Sequence, residues 1–131
     1  MIYLDTGVLV RGLLQSHPMH ADCFRLIDDD AVSSCHTLAE VFNTLTGHFK
    51  IPNEDATKMV GSLPEMMRFE PISQDDYLTV IREARKRGIQ GGIIYDAIHA
   101  EVARRLNVER VVTYNVTHFR HVAPDLEITT P

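Results

Sequence analysis

The chain has 131 residues, of which 44% are hydrophobic and 24% charged, and its formal net charge is −5. That length supports one domain, spanning 1–131, around a single core and is too short for two, and no apolar run approaches the roughly 20 residues that a membrane-spanning helix needs. An acidic balance also argues against tight, charge-driven nucleic-acid binding, because neutralising a phosphate backbone usually calls for a basic surplus. In chain order, Met1 to Leu4 is a short apolar run ending at an acid, the pattern of a buried strand. A helix is expected from about Gly7 to Leu14, and a second from an N-cap at Ser16, with Pro18 in its first turn, to about Asp29. Ala31 to Ser33 reads as a strand. Thr37 to Phe49 follows as a helix with Leu38, Val41, Phe42, Leu45 and Phe49 on one stripe.

Asn53 is expected to cap a helix reaching about Leu63, and Arg68 to Ile72 a short strand whose pairing Pro71 limits. Ser73-Gln74-Asp75-Asp76 has the form of a capping box, so a helix should run to about Arg87, with Gly88 closing it. Gly91-Gly92 is a break before a helix from about Ile94 to Leu106. Arg110 to Tyr114 and Leu126 to Thr129 complete the strands. Alternation of strands and helices along the whole chain predicts an α/β sandwich around a mostly parallel sheet. In such sheets ligands sit beyond the carboxyl ends of the strands. Asp5 ends the first strand there, and Thr113 to Asn115 ends a later one.

Several side chains are candidates for chemistry. An acid directly after a buried strand, as in Asp5-Thr6, can hold a metal and can equally cap the helix that follows. The Thr6 hydroxyl suits a neighbouring carboxylate or a substrate phosphate, or simply the cap. Glu40 lies opposite the apolar stripe of its helix, so periodicity turns it to solvent; its small uncharged neighbours Asn43, Thr44 and Gly47 suit a cleft wall as well. Asp96 stands in a first helical turn, where an acid complements the helix dipole, but it borders the apolar arc of its helix, where an acid without a cation is costly.

Other features carry less. His17-x-x-His20 and His118-x-x-His121 have metal-site spacing but no third ligand beside them, and read as loop and helix-start histidines. Cys23 and Cys35 form neither a disulfide framework nor a zinc pattern. The N-terminus lacks a basic leader, and Asp5 breaks its apolar stretch, so a cytoplasmic setting is expected. Arg82, Arg85, Lys86 and Arg87 make a local basic cluster, and a divalent cation would reverse the sign of an acidic cleft. Both soften the argument from net charge.

Four stretches, I-Y-L-D-T, T-L-A-E-V-F-N, Y-D-A-I-H-A-E-V-A and V-V-T-Y-N-V-T-H-F-R, follow one another as they do in PIN-domain proteins. Over nearly its whole length the chain resembles that family, and within it the VapC-type toxins of toxin–antitoxin pairs. The resemblance implies a three-layer α/β/α sandwich with a five-stranded parallel sheet, a homodimer, and a small antitoxin covering the cleft. It implies an endoribonuclease dependent on magnesium or manganese, with Asp5, Glu40 and Asp96 as the family's first three acids. Asn115 stands where many relatives carry a fourth acid, which brings no charge and leaves a second metal in doubt. Thr113 matches the family's strand-end hydroxyl. On this reading Asp5 and Asp96 bind the metal directly, and Glu40 binds through water or orients the nucleophile. Cleavage of RNA, single-stranded or looped, would leave a 5′-phosphate. One alternative is a PIN fold that grips RNA or protein without cutting. Another is an aspartyl-phosphate phosphohydrolase of the haloacid dehalogenase type, which Asp5-Thr6-Gly7 fits poorly because that family carries D-x-D.

Overall fold

A computed structural model describes residues 1–131. Five strands form one all-parallel sheet in the order β3-β2-β1-β4-β5: β1 (Ile2–Leu4), β2 (Ala31–Ser34), β3 (Arg68–Glu70), β4 (Val111–Val112) and β5 (Ile128–Thr129). The central strands are short and wholly buried, so each of their residues must meet apolar material on one side of the sheet or the other. The two-residue period of a strand sorts them. Ile2, Leu4, Ala31 and Val112 face one core, while Tyr3, Val32 and Val111 face the second.

The first core is closed by α1 (Thr6–Leu13), α2 (His20–Phe24), α3 (Cys35–Gly47) and α4 (Asn53–Ser62), through Val8, Leu9, Cys23, Val41, Leu45 and Ala56. The second is closed by α5 (Gln74–Glu83), α6 (Ile94–Arg105) and α7 (Val116–Val122), through Val80, Ala97, Ile98, Val102, Phe119 and Val122. Helices on both faces of a parallel sheet give the three-layer sandwich.

Local chemistry explains most boundaries. Ser73 caps α5 with a reciprocal box: its hydroxyl accepts from Asp76 N at 3.1 Å and its own amide donates to the Asp76 carboxylate at 2.9 Å. Regular α5 stops at Glu83, yet the chain keeps turning as far as Gly88, which takes φ +67°. Gly88 N bonds Arg85 O and Ile89 N bonds Ala84 O, the paired closure that a left-handed glycine permits.

The structure corrects three expected elements. Between Ser16 and Asp29 only His20–Phe24 is helical. Beyond it, Leu26 and Ile27 bond three residues back to Cys23 and Phe24, which tightens the chain and drives Ile27 into the core. Gly12 allows this approach, since a Cβ there would meet Ile27 Cδ1 at 2.6 Å. Asn53 is the first residue of α4 rather than its cap; Pro52 holds the cap position and contributes no side-chain bond. Finally, α7 forms in a stretch to which no element was assigned, because Phe119 and Val122, three apart, bury one stripe against α6.

Candidate active site

β1 and β4 are neighbours in the sheet, so their carboxyl ends deliver Asp5 and Thr113 side by side. Asp5 is the N-cap of α1: its Oδ1 accepts the Thr6 amide at 2.8 Å. Its Oδ2 accepts the Thr113 hydroxyl at 2.7 Å. The same Thr113 oxygen accepts the Asn115 amide at 2.8 Å, which turns the chain sharply after β4 and aims Asn115 back over the sheet edge. Capping and a chemical role, set against each other by sequence, are compatible at Asp5 because each carboxylate oxygen retains a free lone pair.

Asp96 arrives from the first turn of α6. Its Oδ2 accepts the Asn115 amide at 3.3 Å and lies 3.2 Å from His118 Nδ1, and Asn115 and His118 are themselves 2.8 Å apart. Its side chain is 20% exposed. Burial raises the Asp96 pKa above the ordinary carboxylate value, the charge of Asp5 raises it further, and His118 only partly opposes both. Asp5 and Asp96 therefore stand as an incompletely compensated pair of like charges.

Glu40 is not the solvent-facing residue that helical periodicity suggests. Its Oε1 lies 2.6 Å from Nε2 of His99, a residue 2% exposed that projects from α6, one turn beyond Asp96. On its other side, His99 Nδ1 meets the Tyr3 hydroxyl at 2.6 Å and Ser34 Oγ at 3.3 Å, and Ser34 N donates to the same tyrosine oxygen at 3.2 Å. Burial opposes charge on His99, but Tyr3 and Glu40 outweigh it and hold the imidazole pKa up at about 10. Burial also works against the Glu40 carboxylate, yet His99, with smaller help from His36 and Thr6, leaves its pKa lowered. Glu40 itself remains 33% exposed. Thr6 Oγ1 is buried beside this carboxylate with no partner at bonding distance.

The structure thus brings Asp5, Asp96, Thr113 and Asn115 into one hydrogen-bonded cluster, with Thr6 bonded to Asp5 through its backbone amide and its hydroxyl near Glu40. No three acidic or imidazole side chains are already drawn together as a metal cage. Sequence reasoning missed one residue of this edge, His99, and set another, His118, aside as a loop or helix-start histidine. The signal for His99 was its place among Ala97, Ile98, Ala100 and Ala103, all buried, where an imidazole needs a partner. His118 was masked by the unforeseen α7, which turns it towards Asp96.

A divalent cation fits the donors present. The Asp5–Asp96 repulsion calls for positive charge, and the carboxylates of Asp5, Asp96 and Glu40 offer hard oxygen ligands. Asp5, Glu40 and Asp96 line none of the molecule's five pockets.

An open parallel sheet with helices on both faces and acids gathered at its carboxyl edge defines an α/β protein whose ligand site lies at the strand ends. The model of the PIN domain matches residues 2–124, and the chain belongs to that family. It is similar to VapC20 of Mycobacterium tuberculosis, described as a sarcin-ricin loop cleaving toxin, at 14% identity and TM-score 0.72, covering 96% of each chain. It is similar to a chain of VapBC2 from Rickettsia felis, solved with a promoter DNA fragment, at 21% identity and TM-score 0.72, covering 100% of this chain and 99% of that one. A toxin–antitoxin complex from Klebsiella pneumoniae gives 20% identity and TM-score 0.70, over 100% and 98%. A search of curated proteins finds no match.

Proposed function

We propose that the protein is a metal-dependent endoribonuclease and the toxin of a VapBC-like pair. The observation that carries this reading is Asp96, whose pKa is held above the ordinary carboxylate range by burial and by the nearby charge of Asp5, with His118 offsetting them only in part, at the strand ends of a PIN domain. Asp5 and Asp96 would hold a magnesium or manganese ion, with Glu40 as a ligand through water. When bound, such an ion supplies positive charge to the scissile phosphate and makes water a better nucleophile.

The chain's own residues do the rest. Thr113 fixes one Asp5 oxygen and Thr6 N the other, so that carboxylate is oriented before substrate arrives. Glu40, kept ionised by His99, accepts a proton from attacking water, and His99 keeps its carboxylate from rotating away. Asn115 holds Asp96 from the opposite side. In-line attack on phosphorus would leave a 5′-phosphate and a 3′-hydroxyl. The open edge favours single-stranded or looped RNA, whose phosphates can be laid across it.

One of the similar solved chains comes from a toxin–antitoxin complex, which supports a small protein partner that covers this edge. Tyr77, Leu78 and Ile81 leave an uncovered apolar face on α5, which supports a homodimer. One observation favours a second reading, a PIN fold that binds without cutting: an amide, not a fourth carboxylate, stands beside Asp96.

One experiment decides between them. Purified protein is incubated with single-stranded and hairpin RNA in magnesium or manganese, with EDTA as control, and the product ends are sequenced. Cation-dependent products carrying 5′-phosphates are expected. Intact RNA under every condition would eliminate the nuclease and leave the binding module.

A further inference from the structure

Arg11 is a cation the mechanism leaves unused. It projects from α1 back over the turn before it, as helical side chains do, and its Nη1 donates to Gly7 O at 2.9 Å. Its guanidinium lies over the Tyr114 ring, 4.2 Å from the centroid. Tyr114 is anchored in turn by its hydroxyl, 3.2 Å from the buried Cys23 Sγ. Gly7 makes room for the arrangement: a Cβ there would stand 2.9 Å from Arg11 Nη1. The guanidinium is therefore seated on residues two beyond Asp5 and one beyond Thr113, the two residues joined across the catalytic edge.

No carboxylate lies within ion-pair distance of Arg11. By contrast, Arg104 is held by Asp125 and Glu101, and Arg105 by Asp76 and Glu70. Of the five N–H donors in a guanidinium, only one is engaged here. A fixed, rotationally restrained cation with unspent donors beside an acidic site in a protein of net charge −5 has a specific use. It offsets the repulsion that the acids impose on an approaching polyanion, and a planar fork matches phosphate oxygens.

We propose that Arg11, held flat on Tyr114, binds an RNA backbone phosphate flanking the scissile one, and so sets the side of the cleft along which the strand runs. The proposal rests on the ribonuclease reading. The ligand chemistry is a phosphodiester, and the role is binding rather than bond cleavage.

The test uses a fluorescent single-stranded oligoribonucleotide and the full-length protein, with Arg11→Gln, Arg11→Lys and Tyr114→Leu. Steady-state cleavage is measured for each, and binding is measured in an Asp96→Asn background as salt is varied. Arg11→Gln should raise KM about tenfold with kcat nearly unchanged. It should also make the slope of log affinity against log salt shallower by about 0.7, the share of one phosphate contact on a single strand. Arg11→Lys should restore the slope but not the whole affinity. Tyr114→Leu should keep the charge and weaken binding by an intermediate factor, and melting curves identify any variant that has simply lost its fold. Parental KM and salt slope in a folded Arg11→Gln, with cleavage by the parent intact, would overturn the proposal and spare the nuclease. Loss of affinity for a protein partner alone, with RNA binding untouched, would equally overturn it. A parent that neither binds nor cuts RNA would remove the reading beneath it.

Discussion

Asp5 and Thr113 are 108 residues apart in sequence and share a 2.7 Å hydrogen bond, donated by a hydroxyl that is fully buried. The same oxygen receives the Asn115 amide, so one side chain orients the first acid and bends the chain towards the third. Thr113→Val keeps the shape and removes both functions. It should cost about 1–2 kcal/mol of stability, measured by urea denaturation, because the Asn115 amide loses its acceptor. Cleavage should fall about 10–100-fold, the usual loss when a group orienting a metal ligand is removed. Parental activity in the Thr113→Val variant would show that Asp5 needs no such orientation.

Asp96→Asn should abolish RNA cleavage and raise the melting temperature of the metal-free protein. The sign follows from the raised pKa: a carboxylate that folding makes harder to ionise contributes stability below its unfolded value of 3.8 and loses it as pH rises through the folded value. At neutral pH the charged form is therefore a cost, relieved by the amide. The gain should be on the order of 1 kcal/mol, a few degrees by calorimetry. A fall in melting temperature would mean that the His118 and Asn115 contacts outweigh the repulsion.

Magnesium or manganese should stabilise the parent by about 2.7 kcal/mol at a hundred times the dissociation constant, seen as a melting temperature that rises with cation concentration. Asp5→Asn and Asp96→Asn should each remove that response. Asn115→Asp should do the reverse, adding a charge that lowers metal-free stability and strengthens manganese binding in calorimetric titration. An unchanged manganese affinity in Asn115→Asp would place residue 115 outside the cation's reach.

The Glu40–His99 pair gives the protein two pH limits. His99, with its pKa raised to about 10, contributes stability fully present below 6.5 and lost as pH rises through about 10. Glu40, lowered from 4.5, contributes stability present above 4.5 and lost as pH falls through its folded value. His99→Leu should flatten the alkaline limb of a stability–pH profile. It should also cost about 1–3 kcal/mol, since the buried Tyr3 hydroxyl keeps only the Ser34 amide as a partner. An alkaline limb identical to the parent's would assign that transition to other groups.

The sheet was legible in the sequence because its strands are short apolar runs with strand-ending acids and hydroxyls, and the Ser73 box announced α5 by chemistry confined to four residues. What sequence concealed depends on partners far along the chain. Glu40 looked solvated on its own helix because periodicity measures one element at a time, and the imidazole that covers it comes from 59 residues away. The α2 region was read as a long helix because the close approach at Gly12, which pulls Ile27 inward, belongs to a second helix. α7 escaped because its two buried residues make too short a stripe to register as a period.

The acidic edge is welded to both cores at once: Asp5 and Thr113 terminate the two adjoining inner strands, and Glu40 is tied through His99 to Tyr3 in the middle of the sheet. Such a site has no hinge of its own, and its residues should exchange amide hydrogens only as slowly as the whole molecule opens. Loosening one corner would therefore not take this edge apart; only the opening of the whole chain would.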